Sequence, residues 1–110
     1  MKSAKRKKLE AAGWQTGTAA ELLGLTRQEA ELVELRLVLA RGLRQRREAR
    51  NLTQASLAKL IGSSQSRVAK MEAADSTVAF DLLLRSLVAT GVTRRELARI
   101  IQRPASHSAA

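Results

Sequence analysis

The chain of 110 residues has no cysteine, no tyrosine, one proline, one histidine and two aromatic residues, Trp14 and Phe80. Each scarcity excludes something. Without cysteine there is no disulfide, no thiol nucleophile and no cysteine-ligated metal. With His107 as the only histidine, placed near the C-terminus, histidine-based acid–base chemistry has no partner set. No glycine-rich phosphate loop is present. Glu31 and Glu34 could share a helix face, but two carboxylates without a pocket are ordinary surface charges. Catalysis is therefore not expected, nor is a cofactor or metal. No apolar run approaches the roughly 18 residues of a membrane span. The basic start Met1–Lys8 lacks the apolar stretch of a secretion signal. A cytoplasmic chain without membrane contact is expected.

With so few aromatics, the core has to be built from Leu, Val, Ile and Ala. That suits packed helices, and alternating β-branched runs are missing. The fold class expected is all-α, and the length suits one domain. The charge is lopsided. Twenty Lys and Arg against ten Asp and Glu give +10, and the isoelectric point near 11.5 lies above the value of about 9 that marks nucleic-acid-binding domains. Charge alone does not separate a nucleic-acid binder from a generic basic surface or an acidic-membrane binder.

Residues 1–8 carry five positive charges and nothing to bury. They read either as a phosphate-tracking arm or as a solubilising tail. Trp14, between Gly13 and Gly17, reads as a packing anchor. Thr18-Ala19-Ala20-Glu21 has the form of a capping box for a short helix that Gly24 ends. Thr26-Arg27-Gln28-Glu29 repeats the form and opens the longest helix, about residues 27 to 50. Ala30, Val33, Leu35, Leu37, Ala40 and Leu43 are its expected apolar stripe, with Gly42 in its interior. Arg41, Arg44, Arg46, Arg47 and Arg50 crowd its C-terminal end, where the helix dipole favours cations.

The most informative stretch follows. Thr53 reads as an N-cap and Leu57, Ala58, Leu60 and Ile61 as one apolar face. Gly62 stops that helix, Ser64 caps the next, and Val68 and Met71 point inward. Gln65, Ser66, Arg67 and Lys70 are left facing out. These side chains suit base edges in a major groove, where Gln pairs with adenine, Arg or Lys with guanine, and Ser with either. The unit at 53–73 reads as a helix-turn-helix, or as an ordinary αα-corner. Asp75-Ser76-Thr77 then breaks the chain before a helix at about 78–89. Its surplus of apolar positions fits a dimer contact or a filled monomer core. Thr93-Arg94-Arg95-Glu96 is a third capping box, opening a last helix that stops before Pro104.

Leu52-Thr53-Gln54, Leu57-Ala58, Gly62, Ser64-Gln65-Ser66, Val68, Lys70 and Glu72 together resemble the phage-repressor-like XRE helix-turn-helix family. The flanks extend the likeness. Leu9-Glu10, Gly13-Trp14, Leu23-Gly24-Leu25-Thr26, Glu34-Leu35-Arg36, Leu43-Arg44, Arg47 and Val78 to Arg85 resemble antitoxins of the HigA type. The resemblance covers roughly residues 9 to 102 and implies a lambda-repressor-like five-helix DNA-binding domain at 27–102. The charge run and Pro104 add a basic arm and leader with a short helix at 1–26 and a flexible tail at 103–110. The resemblance implies a homodimer on a pseudo-palindromic operator. Gln65, Ser66 and Lys70 would read bases, while Thr53, Gln54, Ser64 and Arg67 would hold phosphates. It also implies an ion pair between Arg47 and Glu72, and a small RelE-like ribonuclease toxin as partner, which Glu21, Glu29, Glu31 and Glu34 could face. A stand-alone repressor is the alternative, and a non-specific RNA-binding adaptor a more distant one.

Overall fold

The computed structural model describes residues 24–104. The expected leader helix, the Trp14 anchor, the basic arm and most of the tail lie outside the described residues. Among the described residues there are five helices and no strand: α1 Arg27–Ala49, α2 Gln54–Ile61, α3 Gln65–Glu72, α4 Phe80–Ala89 and α5 Arg94–Gln102. The chain divides into a unit Arg36–Arg103 and a unit of Met1–Leu35 with Pro104–Ala110.

In the latter unit the first turn of α1 is held by a reciprocal capping box. The Thr26 N–H donates to Glu29 Oε1 at 2.9 Å and the Glu29 N–H donates to Thr26 Oγ1 at 3.1 Å. The Thr26 backbone donor, then its hydroxyl, holds the Glu29 carboxyl below its usual pKa.

In Arg36–Arg103, every helix from α1 to α4 contributes to one buried cluster. Leu39 and Leu43 come from α1, Leu57 and Ala58 from α2, and Val68 and Met71 from α3. Val78 and the α4 residues Leu83 and Leu87 close it, and Leu97 and Ile100 of α5 pack at its edge. Each large side chain buried here contributes about 1.5–3 kcal/mol relative to exposure.

The inward face of α1 differs from the expected stripe. Val38 and Leu39 are buried, whereas Val33, Leu35 and Leu37 are only partly covered. The reason is that this face also carries arginines. Arg36, Leu39, Ala40, Leu43, Arg46, Arg47 and Arg50 recur at helical spacing along one side, so a stripe sought in apolar residues alone is misplaced. A second correction concerns Leu60, which is 51% exposed. Leu57, Ala58 and Ile61 centre the inward face of α2, and Leu60 lies about 100° round the helix from that centre.

The helix expected from about residue 78 begins two residues later, at Phe80. Asp75 first makes a side-chain turn, its Oδ1 accepting the Thr77 N–H at 2.8 Å and the Thr77 hydroxyl at 2.6 Å. Those two bonds, the hydroxyl's first, hold the Asp75 carboxyl below its usual pKa. The Val78 carbonyl accepts from Arg36 Nη1, and the Arg36 guanidinium lies 4.4 Å from the centre of the Phe80 ring. Arg36, which also donates to the Asp75 carbonyl at 3.2 Å, thus fixes the entry to α4 through two hydrogen bonds and one cation–π contact. No described helix is long and apolar enough to cross a membrane.

Two backbone positions generate tests. Gly42 faces α5, and a Cβ there would stand 2.6 Å from Ile100 Cγ2. Gly42→Ala should therefore lower stability by about 1–3 kcal/mol through overpacking, although Ala is the better helix former by about 1 kcal/mol. A rise in the urea midpoint would contradict the close α1–α5 approach. Ala74 adopts φ 57 after α3, a conformation that costs a residue with a Cβ about 1–2 kcal/mol. Ala74→Gly should raise the midpoint, and a lower midpoint would show that the left-handed conformation is not strained there.

Candidate nucleic-acid interface

The candidate surface is made by α2, the turn after it, and α3. Both helices are only eight residues long, too short to persist alone in water, so their ends and their packing have to define them. At the start of α2, Thr53 Oγ1 accepts the Ser56 N–H at 3.0 Å and donates to Ser56 Oγ at 2.9 Å. At its end Gly62 takes φ 68, and the Ser63 N–H reaches back to the Ala58 carbonyl at 2.8 Å. Ser64 then caps α3, its Oγ accepting the Arg67 N–H at 3.2 Å. The chain turns between the two helices within three residues, Gly62 to Ser64, because glycine supplies the left-handed step and serine the restart.

Packing divides α3 into two faces. Val68 and Met71 are fully buried. Gln65, Ser66, Arg67 and Lys70 are all exposed, so the surface carries one amide, one hydroxyl and two cations. No acidic residue stands in the first turn of α2 or of α3. The unpaired backbone N–H groups and positive dipole ends of both helices therefore add to the side-chain charge.

The one carboxylate of α3 faces the other way. Glu72 is 6% exposed and Arg47 of α1 is 13% exposed. They meet in a bidentate pair, with Arg47 Nε to Glu72 Oε2 at 2.6 Å and Arg47 Nη2 to Glu72 Oε1 at 3.1 Å. Arg47 Nη1 also donates to the Leu52 carbonyl at 2.9 Å. Gln54 Nε2 donates to Glu72 Oε1 at 3.1 Å. The hydrogen bond to Glu72 raises the Arg47 pKa above its ordinary range. The Arg47–Glu72 pair thus joins α1, the α1–α2 connection, α2 and α3.

Three further arginines of α1 make contacts that the sequence does not announce: Arg36 figures there only through the family resemblance, and Arg46 and Arg50 only as cations suited to the end of their own helix. Arg36 donates to the carbonyls of Asp75 and Val78. Arg46 Nη2 and Arg50 Nη1 donate to the Thr90 carbonyl at 3.1 and 2.8 Å, capping the C-terminus of α4. Arg46 Nη1 also pairs with Glu96 Oε2 at 2.9 Å. Glu96 sits in the capping box of α5, and the Thr93 N–H, then the Thr93 hydroxyl and Arg46, holds its pKa below the usual value. The dipole argument applied these cations to the end of their own helix. The structure applies Arg46 and Arg50 to the end of another.

Of the residues singled out from the sequence, the structure exposes Ser64, Gln65, Ser66 and Arg67 at the start of α3 and Lys70 in its last turn. It places Thr53 at the neighbouring end of α2 and half-buries Gln54 against Glu72. The Thr53 and Ser64 hydroxyls serve as caps. No group of three or more His, Cys, Asp or Glu residues placed to hold a metal occurs among the described residues.

Arg47→Ala should cost about 3–5 kcal/mol, because it leaves a buried carboxylate without its counter-charge. Replacing the pair together, Arg47→Met with Glu72→Leu, should recover most of that loss. Chemical denaturation of both variants checks this, and a single substitution without effect would contradict the joining role of the pair. A family profile described as helix-turn-helix matches residues 43–97, half of the chain. Neither a curated protein nor a solved structure matches it.

Proposed function

The chain belongs to the XRE-type helix-turn-helix family, a DNA-binding family of all-α, lambda-repressor-like fold, and on that premise we propose that it is a sequence-specific antitoxin-repressor of its own operon. The reading rests foremost on one observation. An exposed α3 face of Gln65, Ser66, Arg67 and Lys70 is presented by a helix whose only carboxylate is turned inward onto Arg47.

Gln65, Ser66 and Lys70 face base edges in the major groove, and Arg67 holds a phosphate. Thr53 and Ser64 hold phosphates chiefly through the backbone N–H groups of the helix starts that they cap. Gln54 keeps its carbonyl and one amide hydrogen for the backbone of the duplex, while its other hydrogen stays on Glu72. Two copies bind a pseudo-palindromic operator with reading helices about 34 Å apart.

The antitoxin half rests on the resemblance of the flanking segments, Glu34-Leu35-Arg36 and Val78 to Arg85, to antitoxins of the HigA type. Its partner would be a small RelE-like ribonuclease. The second reading is a stand-alone repressor, favoured by the net charge of +10, which repels a basic, RNA-binding toxin. Exposed Gln65 and Ser66 count against a non-specific RNA adaptor, which needs charge but no short polar readers.

Gln65→Ala should weaken operator binding by about 1–3 kcal/mol and relax preference at one base position. Arg67→Ala should weaken all duplexes alike and reduce the salt slope by about one. Loss that is equal on every sequence for Gln65→Ala would remove it as a reader. Co-purification with the product of the adjacent gene tests the antitoxin half. A stable complex that still protects an upstream palindrome supports it, and specific DNA binding without a partner leaves the stand-alone repressor.

A further inference from the structure

Helix α4 has an exposed side that nothing in the reading of DNA uses. Asp81, Leu84, Arg85 and Val88 lie along it at the i, i+3, i+4, i+7 spacing of a single helix face. Leu84 is 37% exposed and Val88 is 61% exposed. Asp81 and Arg85 form an exposed intrahelical pair at 3.0 Å. That pair contributes little to stability in water, and two apolar residues four apart on a solvated face contribute nothing to the core beneath.

Charge says what covers this face. The chain carries +10, so two copies repel wherever their arginine-rich surfaces meet. Among the five described helices, α4 alone has equal numbers of acidic and basic residues, Asp81 and Arg85. It is therefore the helix at which two copies approach with least repulsion, and its one acid and one base are self-complementary. A face that joins a copy of itself about a two-fold axis has to be self-complementary.

We propose that α4 is the homodimer contact. Two copies lie antiparallel with Leu84 and Val88 packed between them, and each copy's Asp81 is drawn from its intrahelical bond toward the other copy's Arg85. This rests on the dimeric DNA-binding reading above and names the surface that it needs. The apolar area is small beside the roughly 800 Å² per partner of a standard interface. The contact is accordingly weak in free solution, and a two-fold operator that holds both copies strengthens it through effective concentration.

The test uses the full chain and two charge variants. Asp81→Arg gives the face two positive charges and Arg85→Asp gives it two negative charges. In sedimentation equilibrium the unmodified chain should show a concentration-dependent monomer–dimer exchange. Each variant alone should dimerise at least about tenfold more weakly, which is about 1.4 kcal/mol. An equimolar mixture of the two variants should recover the dimer, because opposite charges then face each other across the axis. Neither variant retains the intrahelical pair, so recovery on mixing reports an intermolecular contact. Thermal melts confirm that both fold, and Leu84→Ser serves as a second variant should Asp81→Arg fail to fold. An unmodified chain that stays monomeric overturns the proposal. So does a variant that dimerises like the unmodified chain, or a mixture that recovers nothing. Binding of one copy to an operator half-site separates the two readings. Specific half-site binding without a dimer overturns the α4 contact alone. A dimer without specific half-site binding overturns the DNA reading and leaves the contact.

Discussion

A carboxylate that is 6% exposed has to have a counter-charge, and Glu72 finds it in Arg47. The short helix α3 depends on that constraint. Eight residues cannot hold a helix in water by backbone bonds alone. Val68 and Met71 anchor one side of α3, and Ser64 holds its start. Glu72 fixes its other end to α1, to the Leu52 carbonyl by way of Arg47, and to Gln54 of α2. The pair is a poor source of net stability, since desolvating two charges offsets much of their attraction. What it supplies is direction, because a bidentate arginine–carboxylate contact tolerates little rotation.

The same device recurs along α1. Arg36, Arg46, Arg47 and Arg50 each reach a carbonyl or carboxylate beyond their own helix, and Arg46 and Arg50 share the Thr90 carbonyl. Guanidinium groups suit this work, because a planar fork with five donors can serve two or three acceptors at once. The cations left outward are arranged differently. Arg67 and Lys70 stand on a helix without an outward-facing acid, Arg67 in its first turn and Lys70 in its last. The chain thus divides its arginines between holding helices together and standing exposed on the surface of α3.

Much of this was legible in the sequence where local chemistry decides the outcome. The capping boxes at Thr26 and Thr93, the glycine turn at Gly62, and the inward Val68 and Met71 follow from short-range rules. The inward face of α1 was not legible in the same way, because arginines occupy positions where a search for core residues expects apolar ones. Arg46 and Arg50 cap the end of α4, some forty residues away in sequence, and no local pattern announces that. Leu60 was misplaced for a simpler reason. On a helix of two turns, four apolar residues at 57, 58, 60 and 61 exceed what one face can bury. The pairing of Arg47 with Glu72 was anticipated through family resemblance, not through spacing.

The most direct test of sequence-specific reading by α3 is selection from a pool of random duplex DNA by the purified chain at physiological salt. The expected result is an enriched half-site, repeated with two-fold symmetry about one helical turn away, whose enrichment is lost in the Gln65→Ala variant. Enrichment no greater than base composition, with retention that merely follows salt concentration, would contradict the assignment of α3 as a reader and leave only a basic surface.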